Sequence, residues 1–81
     1  MARDLLDLHG YKTEDVESEV DRFLVEISQS NLKRARIMTG KGTGAVQKVV
    51  ISYLKQAGYQ WAFERSPRGD ENRGVIVLFL D

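Results

Sequence analysis

Two short stretches of the sequence carry residue types that suit acid–base chemistry beside a phosphate. The first, "LLDLHG" at residues 5–10, places Asp7 two positions before His9, the one histidine of the chain. Alternate side chains of a β-strand share a face, so this spacing predicts a carboxylate and an imidazole about 7 Å apart on one face. An imidazole can act as a general base near neutral pH, and a neighbouring carboxylate can orient it.

The second stretch, "RIMTGKGTGAV" at residues 36–46, surrounds Lys41 with glycines. Glycine allows the backbone to approach a ligand closely, and backbone N–H groups beside a lysine can hold phosphate oxygens. The order of residues does not match the P-loop, in which the lysine follows the last glycine. The alternative to a phosphate-binding loop is a flexible turn between a strand and a helix. The phosphate-binding interpretation is favoured because Asp7 and His9 are expected to lie beside this loop, at the end of the neighbouring strand.

The hydrophobic pattern predicts that each stretch follows a strand and leads into a helix. The predicted strands lie at 5–9, 35–38, 59–63 and 75–80. The first predicted helix begins at a cap, Thr13, and ends at about residue 30. The second begins at 43–45 and ends at residue 57, where Gly58 terminates it. Both helices are long enough for right-handed crossovers between parallel strands, which places them on one face of the sheet. The predicted fold is therefore an α/β (α+β) two-layer sandwich in the order βαβαββ.

Both motifs fall at the carboxyl ends of the first two predicted strands. In α/β sheets, ligands bind in the crevice beyond these strand ends. The second helix begins directly after the glycine loop, so its unpaired N–H groups are expected to point at the same crevice and to favour an anion there. Tyr11, Tyr59 and Trp61 are candidates to stack on bases, although Tyr59 and Trp61 are expected instead to cover the edge strand.

Composition restricts the class of protein. The 81 residues are expected to form a single domain, 1–81, with one modest core. The chain has no cysteine, and nothing in it resembles a signal peptide or a membrane span, so a cytoplasmic protein is expected. The zero formal net charge hides two halves: residues 4–26 have eight acidic and two basic side chains, whereas residues 33–65 have seven basic and one acidic. This division suits a protein that offers a basic face to a polyanion, and ordinary solvated helix faces are the alternative.

"LDLHG" opening one strand–helix unit and "TGKGTG" closing the next strand together resemble the small MutS-related (Smr) domain family, over residues 6–80. The resemblance implies a mixed four-stranded sheet in the order 1-2-4-3 with an antiparallel last strand, similar to the carboxyl-terminal domain of translation initiation factor three. It also implies nicking of DNA or endonucleolytic cleavage of RNA, including messenger RNA at stalled ribosomes. Such domains occur alone and as the carboxyl-terminal module of MutS-related ATPases.

The resemblance places the family's D-x-H motif on Asp7 and His9 and its [HT]-G-x-G motif on residues 39–42. Thr39 stands where many bacterial members have histidine, and Gln47 where many have arginine. The expected catalytic residues are Asp7, His9 and Lys41. The residues expected to bind nucleic acid or phosphate are Gly10, Arg36, Thr39, Gly40, Lys41, Gly42, Thr43, Gly44 and Lys48.

The residues suit RNA cleavage better than DNA nicking. The 2′-hydroxyl of RNA can be the nucleophile, with His9 as base and Lys41 with the loop amides holding the phosphate. Asp7 is expected either to orient His9 or to favour its protonated form. DNA lacks this hydroxyl and needs an activated water, for which a divalent cation is one source. No metal site is predicted, because Glu17 and Asp21 are expected to be solvated helix residues. No cofactor is predicted either.

The sequence is compatible with two functions from different classes. The first is an endonuclease, a hydrolase that binds DNA or RNA and cleaves its phosphodiester bonds. The second is a non-catalytic nucleic-acid- or ribosome-binding module of a larger MutS-related ATPase. In both, the expected partner is DNA or RNA, associated with the ribosome in the second, and the isolated domain is expected to be a monomer that does not bind membranes.

Overall fold

The computed structural model describes residues 3–40 and 44–80. Their elements, in chain order, are β1 Leu5–Asp7, α1 Thr13–Ser28, β2 Arg34–Met38, α2 Ala45–Ala57, β3 Gln60–Arg65 and β4 Glu71–Phe79. The predicted order βαβαββ is confirmed.

The four strands form one mixed sheet in the order β1-β2-β4-β3. β1 and β2 are parallel, and β4 is antiparallel to both β2 and β3. The order and the strand directions agree with what the family resemblance implied. The continuous apolar run "VIVLFL" belongs to β4, which lies between β2 and β3, as expected for a strand with neighbours on both sides.

The core lies between the two helices and one face of the sheet. Helix α1 contributes the predicted stripe: Val16, Val20, Phe23, Leu24 and Ile27 are all buried. They pack in one cluster with Val50 and Leu54 of α2 and with Ile37 and Ile76 of the sheet. Each fully buried side chain of this size stabilises the fold by about 1.5–3 kcal/mol. Tyr59 and Trp61 pack partly buried against this core, which agrees with the expectation that they cover the edge strand.

The opposite face of the sheet carries the alternate residues of the two central strands. Ala35 and Ile37 of β2 are buried in the core, so the alternation places Arg34, Arg36 and Met38 on the other side. In the same way Val77 and Phe79 of β4 lie opposite the buried Ile76 and Leu78. We call this surface, made of Arg34, Arg36, Met38, Val77 and Phe79, the outer sheet face. Among the described residues no helix or strand packs on it.

The structure corrects several boundaries. β3 runs to Arg65 rather than residue 63 and β4 starts at Glu71 rather than residue 75, because the polar residues on both sides of the turn pair across it. β1 ends at Asp7 rather than at residue 9, because the Asp7 carboxylate accepts a hydrogen bond from the His9 backbone and turns the chain out of the strand. Thr13 is the first residue of α1 and Lys12 is its N-cap, with no side-chain capping bond. Helix α1 ends at Ser28, about two residues before the predicted end. Gly58 is confirmed as the left-handed C-cap of α2, with φ 80°.

No helix of the described part of the chain combines the length and hydropathy that crossing a membrane requires.

Candidate functional site

The carboxyl ends of β1 and β2 meet at one edge of the sheet. Asp7 and Met38 are register partners in the parallel pair, and the N–H of Leu8 donates to the carbonyl of Met38 at 2.9 Å. The turn that carries His9 and the loop that begins at Thr39 therefore leave the sheet side by side. This juxtaposition of the two motifs is what the strand order required.

Asp7 and His9 are joined through the backbone. Oδ1 of Asp7 accepts a hydrogen bond from the His9 N–H at 2.9 Å, and both residues are exposed. Gly10 follows with φ 83°, and the N–H of Tyr11 donates to the carbonyl of Leu8 at 3.0 Å to close the turn. The expected shared strand face does not exist, because the strand has ended before His9. The carboxylate fixes the position of the histidine's backbone.

The start of the glycine loop is anchored to β4. The N–H groups of Thr39 and Gly40 both donate to the carbonyl of Gly74, at 2.8 and 3.2 Å. The buried Thr39 hydroxyl lies 3.4 Å from the Gly40 carbonyl and 3.5 Å from that of Gly74. Gly40 itself has φ 80°, and a Cβ there would meet no protein atom within 4 Å. The backbone at Gly40 is therefore bent and open to an approaching ligand.

Helix α2 begins at the far end of this loop. Its N-cap, Gly44, has φ 83° and no side chain to cap the first turn, and its carbonyl accepts the N–H of Lys48 at 2.9 Å. A helix N-terminus carries partial positive charge and favours an anion. Lys41, Gly42 and Thr43, three of the predicted site residues, lie outside the described residues.

Sequence reasoning missed the residues that hold the loop from β4. The side-chain amide of Gln47 donates to the carbonyl of Arg73 at 2.6 Å, which ties the first turn of α2 to the same strand segment. This segment is irregular: Phe63 pairs with Ile76 but Glu64 pairs with Asn72, so β4 bulges over residues 73–75. An isolated glycine before an apolar strand run is a signal for such a bulge, and Gly74 supplied it.

Two predicted binding residues lie away from the strand ends. Arg36 lies on the outer sheet face, where its guanidinium is 3.5 Å from the Glu64 carboxylate and its side chain is 49% exposed. Lys48 lies in α2 and lines a depression of about 330 Å³ between the helices, together with Glu17 and Tyr53. The structure thus brings six of the predicted residues to one edge: Asp7, His9, Gly10, Thr39, Gly40 and Gly44. Arg36 and Lys48 lie away from this edge, on the sheet layer and the helix layer respectively.

Two acidic residues of α1, Asp21 and Glu26, make hydrogen bonds to other parts of the fold. The Tyr53 hydroxyl donates to the Asp21 carboxylate, and this hydrogen bond raises the pKa of Tyr53. At the end of α1, Arg3 donates to Glu26 at 2.9 Å, which lowers the pKa of the Glu26 carboxyl and raises that of Arg3. Among the described residues, no three histidine or acidic side chains are grouped so as to hold a metal ion.

Fold and site together define a small two-layer α/β domain with a glycine-rich loop at the carboxyl ends of two parallel strands. The chain belongs to the Smr domain family, whose model matches residues 6–81. Among its relatives, Endonuclease MutS2 of Staphylococcus aureus is 47% identical over 75 residues. That match covers 93% of this chain and 10% of the relative, so the chain spans about a tenth of the length of such proteins.

Solved structures share the architecture. The Smr domain of Thermus thermophilus MutS2 is 31% identical, with a TM-score of 0.79 over 96% of this chain and 98% of that one. YdaL, a stand-alone small MutS-related protein from Escherichia coli, is 20% identical, with a TM-score of 0.81 over 95% of this chain and 63% of that chain. At this lower identity the likeness establishes the fold alone.

Proposed function

We propose that this domain is an endonuclease that binds nucleic acid and cleaves its phosphodiester bonds, with RNA as the better substrate. The observation that carries the proposal is that the carboxyl ends of β1 and β2 lie side by side. There the turn of the exposed His9 leaves β1 next to the end of β2, which leads through Thr39 to the open backbone at Gly40 and on to the N-terminus of α2. A base next to an anion-binding backbone is the minimum that phosphoryl transfer from an internal hydroxyl needs. The name of the MutS2 relative agrees with this activity.

In this mechanism the imidazole of His9 accepts the proton of the ribose 2′-hydroxyl. The 2′-oxygen attacks the adjacent phosphorus, the bond to the 5′-oxygen breaks, and that oxygen takes a proton from solvent, which leaves a 2′,3′-cyclic phosphate. Asp7 holds the His9 turn through its backbone N–H. The N-terminus of α2 and the sequence-predicted Lys41 bind the phosphate oxygens, while the N–H groups of Thr39 and Gly40 hold the start of the loop against the Gly74 carbonyl.

The inward-facing Thr39 hydroxyl favours a positioning role for this residue. It lies near two backbone carbonyls, so it helps to fix the loop and leaves the phosphate to the N-terminus of α2 and to Lys41. The same features suit the second candidate function, a module that binds nucleic acid or the ribosome without cleaving.

Cleavage of labelled RNA and of DNA of the same sequence, each with and without EDTA, tests the proposal. The parent domain should cut RNA in the presence of EDTA and leave 2′,3′-cyclic ends. His9→Ala should abolish cutting while keeping RNA affinity within about twofold, because the phosphate contacts remain. Gln29→Ala, at the opposite end of α1, is the matched control and should behave as the parent. Cutting by His9→Ala at the parental rate would falsify the role of His9. RNA binding without cutting by the parent would favour the binding module.

A further inference from the structure

We infer that the outer sheet face binds an unpaired RNA strand, whose backbone continues over the sheet edge to the candidate site. The inference rests on the proposed function, because it concerns the path of the same substrate. It adds a second contact region, away from the loop and from His9.

The chemistry of the outer sheet face suits a base and its phosphate. Arg34 and Phe79 are register partners, and the guanidinium carbon of Arg34 lies 5.0 Å from the centroid of the Phe79 ring. Phe79 is half-buried and Arg34 is exposed. The guanidinium lies over the ring, so the two side chains form one stacked pair. Unpaired bases stack on aromatic rings and on arginine guanidinium planes, and the arginine adds a cation for the backbone phosphate.

The middle of the outer sheet face is apolar and crossed by a second arginine. Met38 and Val77 are half-buried here. Arg36 reaches across β4 to Glu64, at 3.5 Å, so this acidic side chain is already partnered by a cation. An apolar floor that carries one arginine at its end and one across its middle matches a strand of bases joined by phosphates.

The charge of the opposite layer favours this side of the domain. A depression on the helix layer is lined by Glu14, Glu17 and Asp21, together with Ser18 and Tyr53. A polyanion is repelled from this acidic patch of α1 and is attracted to the face that carries Arg34 and Arg36.

The length of the face fits a short segment of single strand. Met38, beside Asp7 at the sheet edge, is four residues from Arg34, a distance of about 13 Å along β2. Four-stranded sheets that recognise RNA on an open face stack about two or three bases there. A duplex cannot use this surface, because its bases already stack on one another. Binding here therefore selects unpaired strands.

The first test is an NMR titration of the ¹⁵N-labelled domain with a twelve-nucleotide uridine strand. Amide shifts should map to β2 and β4 around Arg34, Arg36 and Phe79, and also to the candidate site. Shifts confined to the strand-end loops, or centred on the outer sides of α1 and α2, would overturn the inference. This test uses the parent domain and does not depend on the folding of a variant.

The second test compares variants in fluorescence anisotropy with the same strand and with an RNA duplex. Phe79→Leu should weaken single-strand binding by about tenfold and leave duplex binding unchanged, because a leucine keeps the packing but cannot stack. Arg34→Gln should also weaken single-strand binding. Arg22→Gln, the same charge change on α1, should have no effect. Thermal unfolding of each variant checks that it is folded.

The outcomes separate the two proposals. Parental single-strand affinity in both Phe79→Leu and Arg34→Gln would overturn the inference while leaving cleavage by the loop and His9 intact. Equal losses for strand and duplex in Phe79→Leu would also overturn it, since stacking would not be the cause. If the parent bound neither probe, both the inference and the proposed function would fail.

Discussion

The carboxylate of Asp7 accepts a hydrogen bond from the backbone N–H of His9, two residues further along the chain, at 2.9 Å. This contact ends β1 and holds the turn on which the histidine stands. It gives Asp7 a role that does not require a contact between the two side chains.

Substitutions at Asp7 should therefore distinguish its role as a hydrogen-bond acceptor from the effect of its negative charge. Asp7→Asn keeps an oxygen that can accept the His9 N–H, so it should retain most of the parental cleavage rate. Asp7→Ala removes the acceptor, and should lower stability by about 1 kcal/mol and activity by considerably more than Asn does. The measurements are cleavage rates and urea unfolding of both variants. An equal loss of cleavage rate in Asp7→Asn and Asp7→Ala would mean that the negative charge itself is required.

A second prediction concerns the backbone at Gly40. Gly40 and Gly58 share a left-handed φ of 80°, and a Cβ at either would meet open space. Alanine at either position should cost about 1 kcal/mol of stability through backbone strain. The two glycines occupy different parts of the fold, because Gly40 lies at the start of the glycine-rich loop and Gly58 is the C-cap of α2.

Binding assays should then distinguish the two glycine variants. Gly40→Ala should weaken phosphate and RNA binding, because the new methyl group lies where the ligand approaches the backbone. Gly58→Ala is the matched control and should lose stability alone. If both variants bind like the parent, the loop is a turn and not a phosphate site.

A third prediction tests the tie between α2 and the β4 bulge. Gln47→Ala removes the 2.6 Å bond to the Arg73 carbonyl and should cost about 1 kcal/mol, or roughly 4–8 °C in Tm for a domain of this size. Gln56→Ala changes an exposed glutamine of the same helix and controls for helix propensity. Cleavage should fall in the Gln47 variant if the helix N-terminus must be held in place. An unchanged Tm would show that the bond contributes nothing.

Much of this fold was readable from local pattern. The stripe from Val16 to Ile27 repeats at helical spacing and is buried as a unit, and Gly58 ends α2 as a helix terminator should. The parallel pairing of β1 and β2 followed from the length of the crossover helix. The sheet order rested on the resemblance of the two motifs to a known family.

The contacts that shape the site were not readable in the same way. Gln47 and Arg73 are 26 positions apart, and Thr39 approaches Gly74 across 35 positions. Neither pair has a local signature, because each exists only after β2, β4 and α2 have come together. Residue alternation also misplaced His9, since it assumes that the strand continues and takes no account of an aspartate that bonds its own backbone.

A fourth prediction uses the pH dependence of the Arg3–Glu26 ion pair. The hydrogen bond from Arg3 lowers the pKa of Glu26 below its ordinary value of 4.5. A lowered folded-state pKa stabilises the fold above that ordinary value, and the contribution is lost as pH falls through the lowered value. A double-mutant cycle of Arg3→Gln and Glu26→Gln should show coupling in Tm at pH 7 and none at about pH 2. Coupling of the same size at about pH 2 would contradict an ion pair as its source, whereas the packing of Arg3 over Phe23 cancels in the cycle.

The last prediction concerns Arg36 and Glu64, whose charged groups lie 3.5 Å apart on the outer side of the sheet. If Arg36 meets an RNA phosphate, Arg36→Gln should weaken binding and reduce the slope of log affinity against log salt by about one. Glu64→Gln should act in the opposite direction, because it frees the arginine and removes a negative charge. The gain in affinity should be about threefold, since an exposed ion pair contributes at most about 1 kcal/mol.

Arg22→Gln, which breaks a comparable pair with Glu19 on α1, is the control and should change neither the RNA affinity nor its salt dependence. Affinities measured at several salt concentrations decide the matter. Losses in both Arg36→Gln and Glu64→Gln would mean that the ion pair supports the fold and does not compete with the ligand.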